Sequence, residues 1–109
     1  MAQLKYSSSK SINEKIVIIT GANRGIGFEL ARTLSQKGAI VIIGCRNEIL
    51  GQEAQHKIGG LCKYLHLDLS EFESIRKFSE IVGANYPRVD VLVNNAGVMC
   101  PPFSLTSEG

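Results

Sequence analysis

Two short stretches hold residues whose types and spacing could do chemistry. The first, "YSSSK", sets Tyr6 four residues before Lys10, with serines between them. A phenol can pass a proton if its pKa, ordinarily about 10, is brought down toward the working pH. The second, "TGANRGIG", runs from Thr20 to Gly27 and carries Gly21, Gly25 and Gly27. Glycines so placed can make a sharp turn and let backbone come close to a phosphate. Which stretch is usable depends on the elements that carry it.

Composition makes the chain globular: 44% hydrophobic and 20% charged among 109 residues, enough for one domain. A net charge of +2 with scattered basic residues gives no nucleic-acid surface. Cys45, Cys62 and Cys100 show neither a disulfide framework nor a metal spacing, which favours a reducing compartment, and each reads as a small buried hydrophobe. No apolar run approaches the roughly 20 residues that span a bilayer. The start, residues 1–14, is too polar for a signal peptide and reads as a flexible lead-in.

From Lys15 the pattern becomes regular. "IVIIT" (Ile16 to Thr20) is a β-branched run, as in a strand buried on both faces. An amphipathic helix follows from about Gly25 to Lys37, with Ile26, Leu30 and Leu34 on one face, Ala31 beside them and Gly38 as its stop. Ala39 to Gly44 is the next strand. Glu48 to Ile58 is a second helix with Leu50, Ala54 and Ile58 on one face, ended by Gly59-Gly60. Leu61 to Leu67 is a third strand, broken by Lys63 and His66 and therefore an edge. Ser70 and Glu73 form a capping box for a helix running to about Asn85 and burying Ile75, Phe78 and Val82. Val89 to Asn94 is a fourth strand, and a loop follows Gly97. The alternation predicts an α/β parallel sheet with helices on both faces; the motifs on its loops imply that it is Rossmann-type, in strand order 3-2-1-4.

In that frame the glycine loop gains meaning. It follows a buried strand and opens a helix, the context a dinucleotide-binding turn requires. Gly21 permits the turn, Gly25 lets backbone approach a pyrophosphate, and Gly27 lets helix and strand pack closely. The helix N-terminus offers N–H groups and a positive dipole end.

The spacing Thr20-Gly21-x-x-x-Gly25-Ile26-Gly27, "DL" (Asp68, Leu69) after the third strand and "NNAG" (Asn94, Asn95, Ala96, Gly97) after the fourth together resemble the short-chain dehydrogenase/reductase family. The segment "NNAGVM…P…SLTSEG" is similar to its retinol-dehydrogenase and WW-domain-oxidoreductase branch. The resemblance covers about Lys15 to Gly109. It implies that Asp68 faces the adenine amino group, the alternative being a solvated strand-end carboxylate; with Ser70 supplying the helix cap, Asp68 is not needed for that. It implies that Asn95, Ala96 and Gly97 line the cofactor ribose, that Asn94 ties neighbouring strands together, and that Thr20 and Asn23 support the glycine turn. His56 and His66 match no motif position and read as surface or packing residues. A methyltransferase of similar fold is disfavoured by "NNAG" and by the glycine spacing.

An enzyme selecting NAD places an acid about 20 residues past the glycines, on the ribose 2′-OH. Here Cys45 stands in that region and Arg46 follows it, with Glu48 already on the next helix. An arginine binds a 2′-phosphate through paired, charge-assisted bonds. Arg24 in the glycine loop can approach the same phosphate. Unless both are solvated surface charges, the expected cofactor is NADP(H) in preference to NAD(H).

The resemblance also disposes of "YSSSK". In the family the catalytic tyrosine and lysine sit on a helix after the fifth strand, the lysine lowering the tyrosine pKa and holding the nicotinamide ribose. The catalytic serine ends that strand. Tyr6 and Lys10 precede the first strand and are a chance match. The catalytic positions would come after residue 109, so no catalytic residue is assigned here. The expectation is the cofactor-binding front portion, residues 15–109, of an oxidoreductase that interconverts a small lipophilic alcohol and a carbonyl. The alternative is a catalytically inactive nucleotide-binding or regulatory fragment that pairs with a complete reductase. A cytoplasmic location is expected, with peripheral membrane association and oligomer formation left open.

Overall fold

The computed structural model describes residues 13–23 and 25–95. Tyr6, Lys10, Arg24, Ala96, Gly97 and Cys100 lie outside the described residues, as does the lead-in up to residue 12. Seven elements alternate: β1 (Ile16–Thr20), α1 (Gly25–Gln36), β2 (Ile40–Cys45), α2 (Glu48–Ile58), β3 (Cys62–His66), α3 (Phe72–Asn85) and β4 (Val91–Asn94). The strands are parallel, as the alternation predicts, and lie in the order β3-β2-β1-β4 expected of a Rossmann-type sheet.

The β-branched runs explain the centre of this sheet. All five residues of β1 are buried, and successive side chains feed two different layers. Val17 and Ile19 pack with Val41, Ile43, Val91 and Val93 beneath Ala31 and Leu34 of α1 and Ala54 of α2. Ile16, Ile18 and Ile42 pack on the opposite side with Leu67 and with Phe78 and Val82 of α3. Each such isoleucine or valine contributes about 1.5–3 kcal/mol by leaving water.

The helices sit on the sheet differently from their apolar spacing. In α1 the buried stripe is Gly27, Ala31 and Leu34, and Ile26 is 77% exposed. The reason is the close approach at Gly27, where a Cβ would meet the Asn95 Nδ2 at 2.7 Å and the Gly21 carbonyl oxygen at 3.0 Å. That contact rotates the glycine inward and Ile26 out. In α2 the buried residues are Gly51 and Ala54, and Leu50 is 40% exposed. The Tyr64 ring of β3 lies where a Gly51 side chain would stand. In α3 Phe78 and Val82 are buried as expected, whereas Ile75 is 36% exposed.

The capping box does not form. Glu71 is the N-cap of α3 and makes no side-chain cap bond. Ser70 instead donates its hydroxyl to Asp68 Oδ1 at 2.6 Å and its N–H to the same oxygen at 2.9 Å. The Asp68 N–H donates to the Ser74 hydroxyl at 2.8 Å. A carboxylate two residues upstream competes for Ser70 through a tight local turn, and a charged acceptor is the stronger partner. Element ends also shift by a residue or two: α1 stops at Gln36, β2 starts at Ile40 and reaches Cys45, β3 covers only Cys62–His66, and β4 starts at Val91.

The bottom of the sheet carries its own fastening. The Ile16 N–H donates to Asp90 Oδ2 at 2.8 Å, and the Asp90 N–H returns a bond to the Ile16 carbonyl at 2.8 Å. Arg88 Nε donates to both Asp90 oxygens, at 3.0 and 3.1 Å. These bonds fix the start of β4 beside β1, and with it the register that brings Asn94 opposite Thr20.

Candidate functional site

Strand order reverses between β1 and β4, the place where a parallel sheet opens a crevice at its C-terminal edge. The loop after β1 turns there. Gly21 has φ 67° and donates its N–H to the Gly44 carbonyl at 2.7 Å. Gly25, also at φ 67°, begins α1, and among the described residues a Cβ there would meet nothing within 4 Å. Its positive φ explains the glycine, and the open space beside it leaves the backbone accessible to a ligand. Gly27 has the opposite surroundings, packed against Gly21, Ala22 and Asn95. The sequence expected these three separate roles: turn, approach and packing. The N–H groups of the first turn of α1, at Gly25, Ile26 and Gly27, have no partner within the helix and suit a phosphate.

The end of β4 backs this loop. Thr20 is buried and donates its hydroxyl to Asn94 Oδ1 at 3.0 Å, joining β1 to β4. Asn94 thus ties neighbouring strands together, as its position implied. Asn95 turns its amide to the loop and donates to the Gly21 carbonyl at 3.1 Å. Asn23 is half-buried within the turn.

A second group forms at the ends of β2 and β3. Arg46 follows β2 and is exposed, and Cys45 before it is buried. Asp68, past the end of β3, has its carboxyl held below the ordinary value, first by the Ser70 hydroxyl and N–H and then by the charges of Arg46 and His66. Leu69 beside it is exposed. Asp68 therefore shapes the turn before α3 itself, and the expected division of labour, with Ser70 as cap, does not hold. His66 and His56 are exposed; His66 lies in register with Cys45. Burial pushes the Cys62 thiol up to about 11 and raises that of Cys45, the fate of small buried hydrophobes.

Sequence reasoning missed two residues here. Asn47 is the N-cap of α2, its Oδ1 accepting from the Leu50 N–H at 3.0 Å. An asparagine just before a helix is a standard start signal and could have been read. Tyr64 donates its hydroxyl to the Cys45 carbonyl at 3.2 Å. Only the β2–β3 register reveals that contact.

This geometry fits a dinucleotide: two positive-φ glycines, an open helix N-terminus, a carboxylate past β3 and an arginine past β2. Comparison with known proteins agrees. A family model described as short chain dehydrogenase matches residues 15–108. Retinol dehydrogenase 12 of Mus musculus is 43% identical over 108 residues, 94% of this chain and 34% of that protein. The WW domain-containing oxidoreductase of Danio rerio is 39% identical over 111 residues, 97% of this chain and 27% of that protein. Among solved structures, the Pseudomonas aeruginosa RhlG/NADP active-site complex superposes with a TM-score of 0.73 at 32% identity, covering 78% of this chain and 35% of that one. The 3-ketoacyl-(acyl-carrier-protein) reductase from Brucella melitensis complexed with NADH gives 0.70 at 27% identity, covering 75% and 34%. The chain thus spans about a third of the length of the proteins it matches.

Proposed function

The chain belongs to the short-chain dehydrogenase family, and on that premise we propose that it is the cofactor-binding front portion of an NADP(H)-dependent oxidoreductase. The reaction is the interconversion of an alcohol and a carbonyl; the bound cofactor supplies or accepts the hydride. The observation that carries the binding role is Gly25, a left-handed residue with open space beside it at the start of α1. The backbone of Gly21, Gly25, Ile26 and Gly27 would hold the pyrophosphate, supported by Thr20, Asn23 and Asn95. Asn95, Ala96 and Gly97 would line the ribose. Asp68 and Leu69 would take the adenine, with Asp68 kept ionised and so able to accept from an amino group. Arg46, assisted by Arg24, would take the 2′-phosphate.

The NADP(H) preference rests on Arg46. It is exposed past β2, where a carboxylate would select NAD(H), and the nearest residue before it is an uncharged, buried cysteine. A charge-assisted hydrogen bond is worth about 1.5–3 kcal/mol, so Arg46→Ala should weaken NADPH binding by roughly ten- to a hundredfold and NADH binding little. Equal loss for both would remove the 2′-phosphate role. The names of the retinol dehydrogenase relatives support a lipophilic substrate, and among the described residues no helix is long and apolar enough to cross a membrane.

A second reading has one observation in its favour. The outer edge of β4 pairs with no strand among the described residues, and Leu92 on it is 62% exposed. A nucleotide-binding or regulatory fragment that pairs with a complete reductase would cover that edge. Reading the transcript past the codon for Gly109 separates the two: a continuation with a serine and then Tyr-x-x-x-Lys supports the enzyme, a stop codon the fragment.

A further inference from the structure

Two peptides that the fold pins independently lie on either side of Arg46, the one joining Cys45 to Arg46 and, one residue further on, the one joining Asn47 to Glu48. On its N-terminal side the Cys45 carbonyl accepts from the Leu67 N–H at 3.0 Å and from the Tyr64 hydroxyl at 3.2 Å. On its C-terminal side the Asn47 carbonyl accepts from the Gly51 N–H at 2.9 Å and from the Cys45 thiol at 3.4 Å. A peptide is planar, so aiming its carbonyl also sets the direction in which the next residue leaves. The exposed Arg46 side chain therefore springs from a backbone whose heading is set by the pinned peptide ahead of it and anchored again one residue beyond.

Tyr64 reaches the Cys45 carbonyl by a built route. Its ring crosses α2 at Gly51, where a methyl group would run into ring carbons Cδ1, Cε1 and Cζ. The Gly51 backbone is ordinary helix, so this glycine is present for space and not for a special φ. The Tyr64 N–H donates to Gln55 Oε1 at 2.6 Å, which docks the middle of β3 onto the same helix. Burial, with the neighbouring Cys45 and Glu48, pushes the phenol up to about 12, so its hydroxyl remains a donor at any working pH.

The carbonyl does not need this bond for satisfaction, because the Leu67 N–H already supplies a partner. What the hydroxyl adds is direction. We propose that Tyr64 is a positioning residue for cofactor discrimination: passing over Gly51, its hydroxyl fixes the peptide ahead of Arg46 and so aims the guanidinium at a 2′-phosphate. This rests on the reading of Arg46 given above. The ring alone serves the core, and the oxygen alone serves the aim, so Tyr64→Phe separates the two.

The experiment is a titration of the full 109-residue chain with NADPH and with NADH, by calorimetry, for the parent, three single variants and one double variant. Tyr64→Phe should lower the NADPH-to-NADH affinity ratio about three- to tenfold, the range of one neutral hydrogen bond. NADH affinity should barely move, and the thermal midpoint should fall only by the few degrees that one lost hydrogen bond costs. Gly51→Ala, which displaces the ring, should lower the ratio as well, and should add nothing to the ratio change once Tyr64→Phe is present. An unchanged ratio in Tyr64→Phe, or equal weakening of both cofactors, overturns the proposal. Arg46→Ala tells the two failures apart. If it lowers the ratio while Tyr64→Phe does not, the positioning role is wrong and the 2′-phosphate reading stands. If neither variant moves the ratio, the reading of Arg46 fails and the role of Tyr64 with it.

Discussion

The side-chain amide of Asn95 donates to the Gly21 carbonyl at 3.1 Å, and a Cβ on Gly27 would stand 2.7 Å from that same amide nitrogen. Two glycines of one loop and an asparagine 74 residues beyond Gly21 thus share one small volume. The glycine loop is shaped by the end of β4 as much as by its own glycines.

Gly27→Ala and Asn95→Ala should therefore couple. Overpacking a close contact costs about 1–3 kcal/mol. Loss of the Asn95 bond costs about 1 kcal/mol. In the double variant the new methyl no longer meets the amide, so urea unfolding should show a loss smaller than the two single losses added. Strict additivity would mean that the Gly27 methyl is resisted by the Gly21 and Ala22 backbone alone.

Asp90 gives a pH signature. Its carboxyl is held below its ordinary value of 3.8, first by the Ile16 N–H and then by Arg88. A depressed carboxylate stabilises the fold fully above its unfolded pKa, and the gain disappears as pH falls through the folded value. The parent should be more stable than Asp90→Asn at neutral pH by a constant margin. That margin should shrink only below about pH 4. A margin already falling between pH 7 and pH 5 would place the effect on some other group.

The two buried thiols should be inert in the folded chain. The thiolate is the reactive form, and burial keeps both Cys45 and Cys62 protonated at pH 8. Iodoacetamide labelling followed by peptide mapping should modify both at least tenfold more slowly in buffer than in urea. Rapid labelling of Cys62 without denaturant would show that β3 detaches from the sheet.

Leu92 should govern self-association of the 109-residue chain. It is an exposed apolar side chain on a strand whose outer edge is unpaired among the described residues, the pattern of an association template. Leu92→Lys should reduce concentration-dependent association seen by size exclusion with light scattering, without lowering the thermal midpoint. If the apparent mass at high concentration is the same for both, the association surface lies elsewhere.

The sequence by itself determined the element order and the parallel sheet, because β-branched runs alternating with helical spacing admit few topologies; the strand order was legible only through the motifs at the strand ends, since alternation alone does not choose it. It also made the turn at Gly21 and the close packing at Gly27 legible, since each follows from a local turn or a nearby strand. Tertiary structure decided what rotates where. Ile26 and Leu50 look like core residues by spacing, yet the close approaches at Gly27 and Gly51 turn them outward. A helix buries its flattest side when a strand or an aromatic ring must pass beneath it, and only the packed sheet says where that happens. Ser70 looked like a cap until Asp68 took its hydroxyl. Tyr64 had no visible role at all, because the carbonyl it meets is 19 residues away and reached only through the pairing of β2 with β3.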